Sequence, residues 1–226
     1  MNNYEGTIEF WDERFGKNIS EQKYYNPNSP LTMTEIEEGL KWLTKGSASI
    51  IDFGCGSGTL LFRSLALGAK NVVGVDISPK AYELAIQTST ANKMNDNTNF
   101  VVGSIECLNK IETNSMDAGI SSNTLDNIFP IDAKLVIKEF NRIIKKNGKL
   151  LIKLNDTMAE AVFEDDYYQL VSENFYKEES GLYFWNLSDS KFKELISPYF
   201  KIVQYFNVPF PKTDYKNRLY YLVNDK

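Results

Sequence analysis

The stretch SIIDFGCGSGTLLFRSLALGAKNVVGVDIS, Ser49 to Ser78, decides the fold. SIIDF is a short apolar run that stops at glycines and reads as a strand buried on both faces. Glycines at 54, 56 and 58 let the backbone bend sharply and put no Cβ between its amides and a ligand. GTLLFRSLAL then reads as a helix stopped at Gly68, and NVVGVD as a second strand. The helix N-terminus faces whatever occupies the turn. Asp76 closes the second strand 22 positions after Gly54, where a carboxylate can accept hydrogen bonds from both hydroxyls of a ribose. The expected ligand is an adenosine derivative.

The alternation continues on the C-terminal side. Pro79 suits the first position of a helix over PKAYELAIQTSTANK. FVVGSI and MDAGISS read as the third and fourth strands. DAKLVIKEFNRIIKK reads as a helix closed by Asn147-Gly148, with KLLIKL as the fifth strand. After SDSKFKELIS, a helix capped by Ser188, YFKIVQYFNV and NRLYYLVN read as two strands joined by PFPKTDYK. On the N-terminal side, EFWDERFGKN reads as a short helix, YYNPNSPLT as a loop, and Glu35 to Thr44 as a helix with Thr34 at its N-cap. The expectation is a single α/β domain over 1–226, a doubly wound seven-stranded sheet with a C-terminal antiparallel strand pair and helices on both faces. Within it, 1–46 is an N-terminal helical lid and 47–154 a cofactor-binding core. Residues 155–188, acidic and rich in Tyr and Phe, form a lid insertion, and 189–226 hold the last helix and strand pair.

Composition removes several classes of function. The 226 residues contain no histidine, which excludes histidine-based triads, zinc sites and phosphohistidine chemistry. A net charge of -5 gives no general attraction to a polyanion, so nucleic acid is not an expected partner. No apolar run of membrane-spanning length and no leader-like N-terminus appear, and Cys55 and Cys107 form neither a disulfide framework nor a CxxC pair. A cytoplasmic protein is expected.

Two adenosine ligands compete for the turn. The dinucleotide pattern G-x-G-x-x-G requires glycine at 59, where this chain has Thr59. IIDFGCGSG instead resembles the first motif of the class I S-adenosylmethionine-dependent methyltransferases. The resemblance extends through VVGVDIS, FVVGSI, MDAGISSNTLDNI and FNRIIKKNGKLLI, spans Ser47 to Leu154, and recurs in the final strand pair. It implies a Rossmann-like sheet and a reaction that turns S-adenosylmethionine into S-adenosylhomocysteine. Gly54 and Gly56 would then lie against the methionine part, with Phe53 and Cys55 in the same turn and Asp52 near the amino group. Asp76 would hold the ribose, Ile77 would pack on the adenine, and Ser104 with Ile105 would meet the adenine edge. Ser104 stands where family members commonly carry Asp. Ser121 would complete the cofactor site.

The acceptor pocket is expected beyond the first and fourth strands, lined by Ser122, Asn123, Asp126 and Tyr25. SSNT replaces the signature of enzymes that methylate DNA amino groups, and no glutamate pair marks an arginine methyltransferase. The best remaining reading is methyl transfer to oxygen or nitrogen of a small molecule, with no metal and no obligatory protein base. A protein-lysine methyltransferase stays open, because SSNTLDNI loosely resembles a loop of some lysine-methylating members. A non-catalytic nucleoside-binding module stays open too. The sequence names neither the acceptor, nor the methylated atom, nor the oligomeric state.

Overall fold

The computed structural model describes residues 4–209 and 215–226. Five parallel strands form in the expected succession: β1 (Ser49–Phe53), β2 (Asn71–Asp76), β3 (Thr98–Val102), β4 (Met116–Ser122) and β5 (Ile144–Leu154). A three-stranded antiparallel sheet of β6 (Tyr168–Ser172), β7 (Phe175–Glu178) and β8 (Tyr183–Trp185) follows, and then β9 (Phe200–Pro209) and β10 (Lys216–Asn224). The large sheet has the order β3-β2-β1-β4-β5-β10-β9, with β10 antiparallel to both neighbours. The chain thus winds outward from β1 to one edge and returns beside β1 as β4. This reversal leaves a crevice at the carboxyl ends of β1 and β4. Most of the PFPKTDYK connection lies outside the described residues.

Side-chain alternation divides the core between the two faces of the sheet. Ile51, Ile152 and Tyr220 point to the face covered by α6 (Pro130–Ile143) and α7 (Asp189–Ile196). Ile50, Leu151 and Tyr221 point to the face covered by α2 (Thr34–Thr44) and α3 (Thr59–Ala66), where Ala85 of α4 (Pro79–Ala91) also packs. Asp117, which opens β4, accepts from the Ala48 and Ser49 amides at 2.8 and 2.9 Å and pairs with Lys145 at 2.6 Å. That places it in a purely structural role.

Several boundaries differ from the expectations. EFWDERFGKN is the middle of a longer helix, α1 (Glu5–Ser20). Helix α2 begins at Thr34 itself, with Met33 in the cap position. The third strand ends at Val102, and Ile105–Leu108 form one helical turn, α5. Asn147-Gly148 does not cap α6, which stops at Ile143 because the fully buried Ile144 is extended and pairs with Met116. The next β4 pair is Ala118 with Lys149, so residues 145–148 loop out of β5, with Asn147 left-handed at φ 60°. The insertion, for which no strand was expected, carries β6 to β8. Its Phe175, Tyr183 and Trp185 are buried in the α6-side core.

The segment before α2 is held by an ion pair. Arg63 of α3, 8% exposed, donates through Nη2 to Glu37 of α2 at 2.5 Å and through Nη1 to Pro27 O at 2.9 Å. Glu37 also accepts from the Leu31 amide at 3.1 Å. The Arg63 hydrogen bonds hold the Glu37 carboxyl below its ordinary value, against the opposing effect of burial. Arg63→Met strands that carboxylate, and urea unfolding should show a loss of about 3 kcal/mol. A folded-state value below the unfolded one stabilises the fold fully above pH 4.5, and this is lost as pH falls through the folded value. The deficit of Arg63→Met should therefore shrink in acid.

Candidate active site

The carboxyl ends of β1, β2 and β4 open into a cleft of about 160 Å³. Its floor is the glycine turn, with Gly54 at φ 75° and Gly56 at φ 53°. The Gly54 and Cys55 amides both donate to Val75 O, at 2.8 and 3.1 Å. The Gly56 amide donates to Asp76 Oδ2 at 2.7 Å, and the Ser78 amide to Asp76 Oδ1 at 2.9 Å. A carboxylate oxygen can accept two bonds, so Asp76 is fixed in place and still able to hold ligand hydroxyls. Burial raises its pKa, while the Ser78 and Gly56 amides oppose the rise.

Asp52 lies behind the turn, 1% exposed, and its Oδ1 has no hydrogen-bond partner. Burial first, and the Asp76 charge second, push its carboxyl well above the ordinary range. Two buried carboxyls in one electrostatic field favour a cationic ligand, because a nearby positive charge stabilises both ionised forms. A ribose-bearing cation fits this floor. Ile77 and Val75 supply apolar wall, and Ser104 a hydroxyl.

The roof comes from α1. Tyr4, Thr7, Trp11 and Phe15 all line the cleft, and their spacing places them on one helical face. Trp11 stacks on Phe15 at 5.7 Å between ring centroids, and the Phe15 ring lies 3.2 Å from where a Cβ on Gly56 would sit. Asp12 ties this helix to the start of α4, accepting from Ser78 Oγ at 2.5 Å and the Lys80 amide at 3.0 Å. Tyr4 ties down the other end: its hydroxyl donates to Asp132 at 2.7 Å and accepts from the Phe129 amide at 3.0 Å. The insertion gives no residue to the cleft wall. It supports α1 instead, with Gly181 O accepting from Thr7 Oγ1 at 3.3 Å.

The far wall is the loop after β4. Asn123 is left-handed at φ 52°, its amide donates to Lys153 O at 2.8 Å, and its side chain donates to Asn155 at 3.0 Å. Thr124 covers Gly54 so closely that a Cβ there would lie 2.1 Å from Thr124 Oγ1.

Of the residues expected at the cofactor, Phe53, Gly54, Gly56, Asp76, Ile77 and Ser104 line the cleft. Asp52, Cys55, Ile105 and Ser121 do not reach its wall. Ser121 is fully buried with Oγ donating to Phe53 O at 3.3 Å, and the Cys55 thiol packs where a side chain on Gly74 would stand. Ser122 and Asn123, expected at the acceptor, line the cleft too, joined by Asn127 and Ile128. Two expectations are corrected. Tyr25 is on the α2–α3 side, packed into that core with its hydroxyl donating to Ser29 O at 2.9 Å, because the Arg63–Glu37 pair holds its segment there. Asp126 is fully buried behind the loop, accepting from the Asn155 amide at 2.6 Å, and burial pushes its carboxyl up to about 6. Trp11 and Phe15 were missed, although Tyr4, Thr7, Trp11 and Phe15 carry helical spacing in the sequence.

Among the described residues no group of three or more His, Cys, Asp or Glu side chains could hold a metal ion, and no helix is long and apolar enough to cross a membrane. Calorimetry with S-adenosylhomocysteine should show Asp76→Ala binding more weakly by about 1.5–3 kcal/mol. Gly54→Ala should abolish binding, since its Cβ meets Thr124 and its φ is strained.

The comparisons with known proteins agree with this geometry. A family model described as a methyltransferase domain matches residues 44–225. Ribosomal protein L11 methyltransferase of Haemophilus influenzae is 35% identical over 133 residues, 58% of this chain and 42% of that protein. The chain therefore spans well under half the length of such curated relatives. The PH0226 protein of Pyrococcus horikoshii superposes with a TM-score of 0.72 at 22% identity, covering 93% of this chain and 99% of that one. The 1,6-didemethyltoxoflavin-N1-methyltransferase of Burkholderia thailandensis, solved with bound 1,6-didemethyltoxoflavin and S-adenosylhomocysteine, superposes with a TM-score of 0.69 at 13% identity, covering 100% of this chain and 92% of that one. With the family model matched across most of its length and the sheet order and glycine cleft in place, the chain belongs to the S-adenosylmethionine-dependent methyltransferases.

Proposed function

We propose that this protein transfers the methyl group of S-adenosylmethionine to a nitrogen or oxygen of a small organic molecule, held between the glycine floor and the α1 roof. The observation that carries this reading is the roof itself: Trp11 and Phe15 close over Gly56, so that donor and acceptor would share one covered cleft. Gly54, Gly56, Asp76 and Ile77 would hold the donor, with Asp52 buried behind the turn. The bound donor supplies an activated methyl on a good leaving group. The chain's part is to hold the acceptor in line, and orientation alone can lower such a barrier by about 7–11 kcal/mol. The aromatic faces of the roof suit a cation by about 0.5–2 kcal/mol.

The acceptor end offers Ser122, Asn123 and Asn127, a hydroxyl and two carboxamides that position without titrating near neutral pH. The rate should therefore follow the acceptor's own ionisation. A second reading, methylation of a protein side chain, is favoured by the ribosomal protein L11 methyltransferases among the relatives.

The test supplies the protein with methyl-labelled S-adenosylmethionine and a cell extract split by dialysis. Label should enter the dialysable fraction. Label confined to the macromolecular fraction would favour the second reading. On an acceptor series, the pH midpoint of kcat/KM should move with acceptor pKa, and one fixed midpoint would assign the base to the protein. Hydrogen exchange with S-adenosylhomocysteine should slow in residues 5–20 and leave 21–30 unchanged.

A further inference from the structure

Two side chains of the protein stand on the glycine floor. A Cβ on Gly54 would overlap the Thr124 side chain, and one on Gly56 would lie 3.2 Å from the Phe15 ring. These are the two glycines against which the methionine part of the donor would lie. Thr124 belongs to the loop after β4, where its hydroxyl donates to Ser122 O at 3.3 Å, and Phe15 comes down from α1. The space that remains in the cleft is about 160 Å³. Pockets that enclose a drug-sized ligand hold roughly 300 Å³ or more. The floor therefore has the chemistry for an adenosine cation, while Phe15 and Thr124 take up the room for it.

The helix that carries Phe15 is fastened in this position. Toward its start, the Tyr4 hydroxyl lies between Asp132 and the Phe129 amide, at 2.7 and 3.0 Å, and Thr7 Oγ1 donates to Gly181 O at 3.3 Å. In its middle, Asp12 Oδ1 accepts from Ser78 Oγ at 2.5 Å and from the Lys80 amide at 3.0 Å. Among the described residues the side chains of 13–20 make no hydrogen bond or ion pair outside α1, so Asp12, three positions before Phe15, is the last polar clasp on the roof. The clasp also touches the donor site, because the Ser78 amide orients Asp76 at 2.9 Å. Thr124 can clear Gly54 by a χ1 rotation. Phe15 is stacked on Trp11, which lines the cleft as well, so enlarging the space above Gly56 moves the helix face that bears both rings.

We propose that the protein shuts its own donor site: with the Asp12 clasp fastened, Phe15 fills the place of the donor's methionine end, and S-adenosylmethionine enters only when α1 lifts. The helix then closes again over the bound donor. The proposal rests on the cofactor reading above and adds how entry to that site is controlled. Only the open fraction binds, so the apparent association rate scales with how often the clasp is undone.

Stopped-flow tryptophan fluorescence with S-adenosylhomocysteine as the probe tests this. Asp12→Ala removes the clasp without altering the cleft wall, and it should raise the association rate constant by about tenfold or more, the effect of losing a hydrogen bond to a charged group on a two-state equilibrium. Phe15→Ala, which removes the obstruction itself, should raise it too. In the double variant Asp12→Cys with Ser78→Cys, oxidation replaces the clasp by a disulfide. The oxidised protein should bind on the order of tenfold or more slowly than the same sample after dithiothreitol, a comparison that holds folding constant. An association rate at or below wild type in either single variant, or equal rates in the oxidised and reduced double variant, overturns the proposal. Failure of wild type to bind S-adenosylhomocysteine at all would instead overturn the cofactor reading beneath it.

Discussion

The site depends on a backbone constraint at the end of β1. Gly54, Gly56 and Gly58 all sit at positive φ, and the turn they make is tied to β2 by two amide bonds to Val75 O and one to the Asp76 carboxylate. Side chains at these positions would be strained. At Gly54 a side chain would also displace Thr124, and at Gly56 it would press on Phe15. The same short segment therefore fixes the floor, the roof contact and the start of the acceptor loop. The position of Asp76 follows as well, since its two oxygens are oriented by Gly56 and Ser78.

Everything above the turn is arranged to close that floor. Helix α1 is anchored at Tyr4 by Asp132 and Phe129 and in its middle by Asp12 on Ser78. These are polar contacts on a half-exposed helix, each of the modest strength of a single hydrogen bond. The insertion contributes from behind. Its buried aromatics, Phe175 and Tyr183, pack on Phe129, and Tyr183 also meets the Tyr4 ring, so the second sheet backs the Tyr4 end of the roof. Asn123 and Asn127, after β4, complete the enclosure opposite the roof.

The strand–turn–helix core was legible in the sequence because each βα unit there obeys local rules: apolar runs for buried strands, Pro79 at a helix start, glycines where φ must be positive. The misreadings were nonlocal. Asn147-Gly148 looks like a helix cap, but whether Ile144 stays helical depends on its pairing with Met116, far away in sequence. Tyr25 looks like a lid residue because it is aromatic and precedes the core. Its real place is set by Arg63, reaching Pro27 and Glu37 from α3. Asp126 sits in the right loop, yet its side chain turns inward to the Asn155 amide, which no spacing rule reveals. The strands of the insertion are short and β6 is bulged against β7, so their period is weak, and their buried aromatics pack on Phe129, far away in sequence.

The central claim is that the covered glycine cleft is the seat of the methyl donor. A crystal structure of the protein grown with S-adenosylhomocysteine tests it most directly. The account predicts the ribose on Asp76, the purine between Ile77 and Ser104, and the homocysteine end beside Gly54 and Gly56, under Phe15. Product bound elsewhere, or a cleft that stays closed by Phe15 at saturating product, would contradict it.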